Sequence, residues 1–262
     1  MSNVQSIERA FTILEALSEA PDGLQITRLA EKVGLSKSTV HRLLATLIDL
    51  NYVLKDRESE KYKLGYRTLY LSRNLINNID IISVAKPFLE DLAAEVNETI
   101  HLCIEDKGEV LYVDKIESNQ TIRMISKVGN RAPLYCTGVG KVLLSGMGEA
   151  QFDIIAENTN FIVHTPTTIT CKEQLQEEMK LIRRQGYALD NIEHEEGIRC
   201  IAAPIFDSEN NVIASFSIAG PSNRITMERI NEELIEKTHT ATLRISKLLG
   251  HKEKNASRSV GI

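Results

Sequence analysis

Two short stretches of this chain concentrate residue types that bind anions. Residues 36–42, SKSTVHR, hold three small hydroxyls and three basic side chains. Hydroxyls and cations bind phosphate oxygens, and Arg and Lys also pair with the acceptor edge of guanine. Residues 136–141, CTGVGK, are glycine-rich, and such a loop at a helix start leaves backbone amides free to hold a carboxylate or phosphate. A purely structural turn is the alternative interpretation of the second stretch.

The remaining reactive side chains form no recognisable catalytic pattern. Asp190, His194 and Cys200 could gather around a metal ion, but Ile198 stands where the HExxH zinc motif needs its second histidine. Residues 136–141 are not a Walker A loop, because the first glycine of that motif is missing. No base is identifiable to activate Cys200 as a nucleophile, and a cysteine is more often a small buried hydrophobe. These spacings favour a binding protein over an enzyme and predict neither a metal nor a cofactor.

Length and charge favour two domains of different character. A chain of 262 residues suits one large domain or, better, two modest domains. Residues 1–67 hold ten Lys and Arg against nine Asp and Glu, whereas the remainder holds 21 against 27. This balance excludes a uniformly basic nucleic-acid binder, but it leaves room for a local basic surface near the N-terminus.

Cysteine usage and hydropathy predict a cytoplasmic protein. The four cysteines lie 33, 35 and 29 residues apart, without the paired spacing of a zinc ribbon or redox motif. Scattered thiols of this kind fit a reducing compartment. The first residues lack the apolar core of a signal peptide. No apolar run approaches the roughly 18 residues that a membrane helix needs.

The basic stretch lies on the third of three predicted amphipathic helices. The apolar stripes of these helices cover residues 4–17, 26–33 and 40–50. We expect Gly34 to end the second helix and the Ser36 hydroxyl to cap the third. Two short strands, 52–56 and 61–65, then flank a polar turn. Three helices and a hairpin predict a compact domain over residues 1–66.

The rest of the chain mixes helices and strands, which predicts an α+β fold. A helix-like stretch at 67–80 is typical of a linker helix. Further predicted helices cover 81–96, 138–157, 171–185 and 226–249. Predicted strands cover 99–105, 109–116, 121–126, 188–193, 198–207 and 212–220. Thr170 and Glu173 have the spacing of a capping box, which predicts the start of the helix at 171–185. His101 and Cys103 lie on one face of the strand at 99–105, and this ordinary alternation assigns neither of them a function.

A short helix, a tight turn at Gly34 and a longer helix form a helix-turn-helix pattern, whose second helix lies in the DNA major groove. The predicted DNA-binding residues on that helix are Ser36, Lys37, Ser38, Thr39, His41, Arg42 and Thr46. The hairpin would lie along phosphates as a wing, through Lys55, Arg57, Lys61 and Lys63. The alternatives are an ordinary surface helix and a winged helix used for protein contacts.

With these motifs in place, the chain resembles the IclR-type transcriptional regulators over nearly its whole length. The resemblance rests on the segments SIERAFTILEAL, LSKSTVHRLLATL, YKLG, APLYCTGVGKVLLS, RRQGYALDNIEHEEGIRCIAAPIFD and SFSIAGPSNRIT. It implies a winged helix-turn-helix joined by a linker helix to a GAF-like effector domain, an antiparallel sheet flanked by helices. It also implies a homodimer or homotetramer on a palindromic operator, repressing a catabolic operon. The implied boundaries are 1–66, 67–80, 81–250 and a flexible tail, 251–262.

The resemblance further implies a pocket for a small organic or sugar acid between the glycine-rich loop and the sheet. The implied effector-binding residues are Met124, Gly138, Val139, Asp190, Ile198, Cys200 and Ser217. Ala219 and Ala132 replace a serine and a larger apolar residue of some relatives, which favours a larger or differently oxygenated acid than the smallest keto acids. Asp190 would accept a hydrogen bond from a ligand hydroxyl or be protonated by burial. Its alternative role is to cap the following turn.

Overall fold

The structure is a computed structural model that describes residues 4–71, 80–121 and 124–252. Its contacts divide the chain into two compact units, residues 1–79 and residues 80–262. Of the predicted linker helix, residues 67–71 are helical, and residues 72–79 lie outside the described residues. No helix in the described parts of the chain has both the length and the apolar composition that a bilayer span requires.

The N-terminal unit combines three helices with a three-stranded antiparallel sheet. Its helices are α1 (Gln5–Ser18), α2 (Ile26–Val33) and α3 (Lys37–Asp49). Its strands are β1 (Leu24–Gln25), β2 (Val53–Lys55) and β3 (Lys61–Leu64), in the order β1-β3-β2. The three predicted helices and the hairpin are confirmed. The sequence did not indicate β1, a two-residue strand that exists because Leu24 and Gln25 pair with Tyr62 and Lys61.

The core of this unit gathers one face of each helix against the hairpin. It contains Ile13, Leu17, Leu29, Val40, Leu44, Leu47, Val53 and Tyr62. Three apolar residues at the start of α1 do not pack into this core. Val4, Ile7 and Phe11 are 59, 55 and 57 % exposed. These three residues recur on one helix face. They form an apolar stripe, termed the α1 stripe, that the described residues leave in solvent.

The C-terminal unit is an antiparallel sheet with helices on both faces. Its strands are β4 (Thr99–Asp106), β5 (Glu109–Ile116), β6 (Arg131–Ala132), β7 (Ala188–Asn191), β8 (Ile198–Phe206) and β9 (Val212–Pro221), in the order β6-β5-β4-β9-β8-β7. Its helices are α4 (Asp80–Val96), α5 (Gly138–Ser145), α6 (Glu149–Asn158), α7 (Lys172–Gln185) and α8 (Ile235–Leu248). Helical residues Met227–Arg229 and a π-helical turn, Ile230–Leu234, lead into α8. The predicted α+β class is confirmed.

The two faces of this sheet carry separate cores, because successive side chains of a strand point to opposite sides. Ile100, Leu102 and Phe216 belong to the core that also contains buried residues of α4 and α8. Cys103 and Ala202 belong to the other core, with buried residues of α5, α6 and α7. The candidate site of this unit lies on that second face.

Two predicted elements of this unit are wrong. The described residues of the segment 121–126 form no strand, and β6 lies later in the chain. The single helix predicted over 138–157 is two helices, because α5 ends at Gly146 and α6 takes Gly148 as its N-cap. The apolar spacing of the sequence continues across this break, and for that reason it predicted a single helix.

The predicted capping box of α7 is also wrong. Cys171 rather than Thr170 is the N-cap, and it makes no side-chain cap hydrogen bond. The amide of Thr170 instead donates to the Gln174 side chain at 3.1 Å. Thr170 therefore pairs with a glutamine four residues later and does not form the expected reciprocal pair with Glu173.

Candidate functional site

Local sequence determines where α3 begins. Gly34 ends α2 in the left-handed region, with φ of 65°, a conformation that glycine adopts at little cost. The hydroxyl of Ser36 then accepts a hydrogen bond from the amide of Thr39 at 3.3 Å. The Thr39 side chain is partly buried, and its hydroxyl lies 2.9 Å from that of Ser36. The predicted turn and N-cap are confirmed.

One face of α3 is apolar and the other is polar. Val40, Leu44 and Leu47 are buried. The exposed predicted residues are Ser36, Lys37, Ser38, His41, Arg42 and Thr46. The first five of these are termed the α3 tip. No ion pair between described residues involves Lys37 or Arg42, so both cations are available to an anion.

The hairpin is less basic than its predicted phosphate-binding residues suggest. Arg57, Lys61 and Lys63 form no ion pair with another described residue, and Lys61 is half-buried. Lys55, in contrast, pairs with Glu60 and lies 5.7 Å from the centroid of the Tyr62 ring. Asp56 shapes the turn by accepting hydrogen bonds from the Ser59 amide at 2.7 Å and hydroxyl at 2.8 Å. The wing therefore mixes both signs of charge.

In the C-terminal unit, a cavity of about 230 Å³ lies between the sheet and the start of α5. Six of the seven implied effector-binding residues line this sheet cavity: Met124, Val139, Asp190, Ile198, Cys200 and Ser217. Ala132 and Ala219 line it as well. Its volume is below the range of roughly 300–1,000 Å³ typical of drug-sized ligands, so it suits a small molecule.

Strand pairing brings these residues together from distant parts of the chain. Asp190 on β7 lies opposite Cys200 on β8, and Cys200 lies opposite Ala219 on β9. Ser217, also on β9, lies opposite His101 on β4. Directly opposed residues on neighbouring strands share one face of a sheet. These four strands thus all contribute to the sheet wall of the cavity.

The start of α5 approaches this wall closely. A side chain at Gly138 would meet the Cys200 sulfur at 2.9 Å, so glycine is required for the approach. Gly138 consequently lies behind the cavity lining rather than in it. Thr137 caps the helix by accepting a hydrogen bond from the Gly140 amide at 3.2 Å. The Val139 amide bonds to no acceptor within the described residues, which leaves it available to a ligand.

Asp190 both lines the sheet cavity and caps a turn. Its side chain is buried, and Oδ1 accepts hydrogen bonds from the amides of Glu193 at 2.7 Å and His194 at 3.4 Å. Burial, opposed in part by these hydrogen bonds, raises the pKa of Asp190 to about 7. The capping role considered from the sequence is present. It is compatible with ligand binding, because a carboxyl with a pKa near neutrality is partly protonated and can then face an anion.

Lys141 on α5 is buried and already paired. Its Nζ lies 2.6 Å from Oε1 of Glu193 and 3.0 Å from Oε1 of Glu178. Burial works against the charge of Lys141, but the two carboxylates outweigh it and raise the pKa of Lys141. This lysine stabilises the fold around α5 and does not serve as a free cation for a ligand.

Several polar residues of the sheet cavity are not among the effector-binding residues that the resemblance implies. They are His101, Tyr112, Ser126, Asn130, Arg131, Thr137, His194 and Glu195. The Nε2 atom of His101 lies 2.6 Å from the Ser126 hydroxyl, and Nδ1 lies 3.5 Å from that of Ser217. Burial, assisted by Lys115, lowers the pKa of His101 to about 3, so the ring is neutral at physiological pH. The sequence shows which residues of β4 share a face, but it does not show that His101 lies opposite Ser217 of β9.

The arrangement and burial of the His, Cys, Asp and Glu side chains bear on two alternatives, a metal site and a nucleophilic Cys200. Within residues 4–71, 80–121 and 124–252, no group of three or more His, Cys, Asp or Glu side chains is arranged to hold a metal ion. Burial raises the pKa of the Cys200 thiol, which disfavours the reactive thiolate. Burial raises the pKa of Cys103 and Cys136 in the same direction.

A larger groove of about 540 Å³ lies elsewhere on the C-terminal unit. The hydroxyl of Tyr135, which lines it, donates to the Ile162 carbonyl at 2.8 Å and accepts from the Ile162 amide at 3.0 Å. Ile154 and Ile162 on its rim are mostly exposed. The tyrosine hydroxyl is thus satisfied within the fold, and none of the seven implied effector-binding residues lines this groove.

Two family models match the chain. The IclR helix-turn-helix domain matches residues 6–57, and the bacterial transcriptional regulator IclR C-terminal domain matches residues 73–247. The "HTH-type transcriptional regulator KdgR" of Escherichia coli (strain K12) is 40% identical over 249 residues, which cover 95% of this chain and 94% of the relative. The "Transcriptional repressor IclR" of the same strain is 30% identical over 231 residues, covering 87% and 84%.

A solved structure shows the same two-part architecture. The crystal structure of the Thermotoga maritima IclR matches this fold with a TM-score of 0.80 at 31% identity, covering 95% of this chain and 100% of that one. The matches in sequence and structure extend across both units. The chain therefore belongs to the IclR family of DNA-binding transcriptional regulators and is not an enzyme.

Proposed function

We propose that the chain is a ligand-responsive repressor of a catabolic operon, controlled by a small organic or sugar acid. The proposed division is DNA binding by residues 1–66, a linker helix at 67–80, effector binding by 81–250 and a flexible tail at 251–262. The observation that carries the proposal is the sheet cavity, a small polar-lined space in the C-terminal unit of a DNA-binding regulator. A relative that is itself named a repressor supports the sign of regulation.

The DNA contact would be made by the α3 tip in the major groove. Arg42 and Lys37 would pair with guanine or phosphate, while the hydroxyls of Ser36 and Ser38 allow a close approach to the backbone. The amides at the start of α3 favour a phosphate for the same reason that any helix start does. Exposure of the tip, with the opposite face of α3 buried, supports this orientation.

The wing would contribute phosphate contacts of unequal strength. Arg57, Lys61 and Lys63 carry no competing ion pair among the described residues, so their charges are available to DNA. Lys55 must give up its pairing with Glu60 before it binds a phosphate. We therefore expect Lys55 to contribute less than its three neighbours.

The acid group of the effector would bind at the start of α5. The free amide of Val139 and the positive end of the helix dipole favour a carboxylate there. Met124 and Ile198 would form apolar walls, and protonated Asp190 would donate a hydrogen bond instead of repelling the anion. Cys200 and Ser217 complete the wall on β8 and β9.

Two copies would act together on a palindromic operator, as a homodimer or within a homotetramer. The α1 stripe supports self-association, because a contiguous exposed apolar face commonly marks a protein interface. Paired DNA-binding heads would favour half-sites one helical turn, or a multiple of it, apart. The site of action would be the cytoplasm. The effector changes operator occupancy only if it binds the DNA-competent and incompetent states unequally.

A mobility-shift titration tests the proposal. Purified protein is first challenged with a genomic fragment pool at low salt, and retained fragments are then titrated with keto, hydroxy and sugar acids. We expect at least one retained fragment and its release by at least one acid. Ser217→Val should preserve DNA binding and weaken the release, while Ser215→Ala serves as the matched control. Release by no acid would contradict the proposal, and failure to retain DNA would favour protein contacts by the winged helix.

A further inference from the structure

We infer that His101 determines the ligand specificity of the sheet cavity. Together with Ser126 and Ser217, it binds a ligand hydroxyl, so that the cavity selects hydroxylated acids over unsubstituted acids of the same chain length. The inference rests on the proposed effector site and deepens it, because it names both the ligand class and the residue that selects that class.

His101 is held rigidly at the cavity wall. The register of β4 places it opposite Ser217 on β9 and opposite Lys115 on β5. Its ring meets Tyr112 edge-on, with ring centroids 5.1 Å apart, and its Nε2 bonds to the Ser126 hydroxyl at 2.6 Å. The side chain is only 3% exposed. A ring fixed by a hydrogen bond at Nε2 and by an aromatic contact presents its other nitrogen in a defined direction.

The Ser217 hydroxyl lacks a good partner. Its separation of 3.5 Å from Nδ1 of His101 is at the outer limit of a hydrogen bond, and no other hydrogen bond of this hydroxyl occurs within the described residues. Ser215, two residues earlier on the same face of β9, instead donates to the Ala203 carbonyl at 3.1 Å. A buried hydroxyl that is poorly bonded costs free energy. A ligand hydroxyl that reaches both Nδ1 and the Ser217 oxygen would remove that cost.

This end of the cavity suits a hydroxyl and not the acid group. The neutral ring of His101 brings no positive charge. Lys115 is nearby, but its Nζ donates to the carbonyls of Met124 and Ser126, each at 2.8 Å, and pairs with Glu117 at 3.2 Å. The carboxylate therefore belongs at the start of α5, and the carbon chain extends from there towards His101.

Calorimetry with chain-matched acids tests the inference. The probes are gluconate against hexanoate and glycerate against propionate, titrated into the full chain. We expect at least one hydroxylated acid to bind about tenfold or more tightly than its unsubstituted match, since a site built for a hydroxyl rejects the analogue that lacks it. His101→Phe and Ser126→Ala should remove most of that preference. His101→Gln, which still hydrogen-bonds, should keep part of it, and Ser215→Ala should keep all of it.

The outcomes separate selection from a merely structural role. A structural role would weaken both members of each pair equally, whereas selection changes only the hydroxylated member. The inference is overturned if the preference survives in His101→Phe, or if the unaltered chain binds neither hydroxylated acid more tightly than its match. In that event, release of DNA by another class of acid would leave the proposed function intact. If no acid of any class releases DNA, the proposed function itself fails.

Discussion

The α3 tip and the sheet cavity, the two proposed anion sites, differ in their electrostatics. The tip holds Lys37 and Arg42 in water, without ion pairs to other described residues. The sheet cavity holds its polar groups away from water, where burial raises the pKa of Asp190 and lowers that of His101. Exposed charges are screened by salt, whereas buried Asp190 changes its charge near neutral pH. The two regions should therefore be separable by salt and by pH.

Salt should produce the largest difference between the two regions. If the tip and the wing together neutralise roughly six to ten phosphates in a dimer, DNA affinity should fall by about 10³–10⁵-fold between 50 and 200 mM salt. Binding of an acid in the sheet cavity should change by less than about threefold over the same range. Fluorescence anisotropy and calorimetry measure the two affinities. An equally steep salt dependence for the acid would break the comparison.

Removing one cation from the tip should be the next largest effect. Arg42→Ala should weaken operator binding by about 1–3 kcal/mol, because Arg42 would bind a guanine edge or a phosphate. Acid binding should not change. Arg184→Ala, which removes an exposed arginine from α7 in the C-terminal unit, is the matched control. Equal losses from the two variants would show that net charge matters and the placement of the tip does not.

The affinity of the sheet cavity for an acid should depend on pH. If an anionic acid binds only when Asp190 is protonated, a pKa of about 7 makes binding about tenfold weaker at pH 8 than at pH 6. Asp190→Asn should flatten this dependence. The neutral His101, with a pKa of about 3, should contribute nothing over the same range. Calorimetric titrations at the two pH values decide, and an undiminished affinity at pH 8 would contradict the assignment.

Asp190 should also make the free energy of unfolding depend on pH, with lower stability at higher pH. The folded-state pKa of Asp190 lies above the ordinary value of 3.8, so the folded protein holds more protons than the unfolded chain between about pH 4 and pH 7. The stabilising contribution of Asp190 is complete below the ordinary pKa of 3.8, and it is lost as the pH rises through the folded-state pKa of about 7. Urea unfolding at pH 5 and pH 8 should show a larger loss in the unaltered chain than in Asp190→Asn.

The smallest expected effect distinguishes two lysines of the wing. Lys63→Ala should lower the slope of DNA affinity against salt by about one unit, as the loss of one phosphate contact does. Lys55→Ala should lower it by less, because Lys55 is already paired with Glu60. Paired salt titrations of the two variants check this ranking. A reversed order would show that the Lys55–Glu60 pair opens on DNA.

The N-terminal unit was largely predictable because its signals are local. Gly34, Ser36 and the apolar spacing of α3 each act within a few residues, and each specified the observed turn, cap or buried face. β1 was not predictable, since two residues show no alternation and the strand depends on pairing with β3. The capping box of α7, in the other unit, was wrong because the spacing of Thr170 and Glu173 does not reveal that the Thr170 amide donates to Gln174 instead.

The sheet cavity was predictable only in part, and mainly through family resemblance. The glycine-rich start of α5 was visible as a local pattern, and Asp190, Cys200 and Ser217 came from the resemblance. His101 was passed over, because a residue on a strand face acquires a role only when the register sets what stands opposite to it. Register between strands more than a hundred residues apart is a property of the folded chain, and periodicity does not encode it.

Hydrogen exchange of the free and DNA-bound chain tests the central claim most directly. A genomic fragment retained at low salt serves as the DNA. We predict that amides at residues 36–42, the N-cap and first two turns of α3, show the largest slowing of exchange, with a smaller effect in the hairpin. Unchanged exchange across α3, accompanied by protection on another surface of the N-terminal unit, would contradict it.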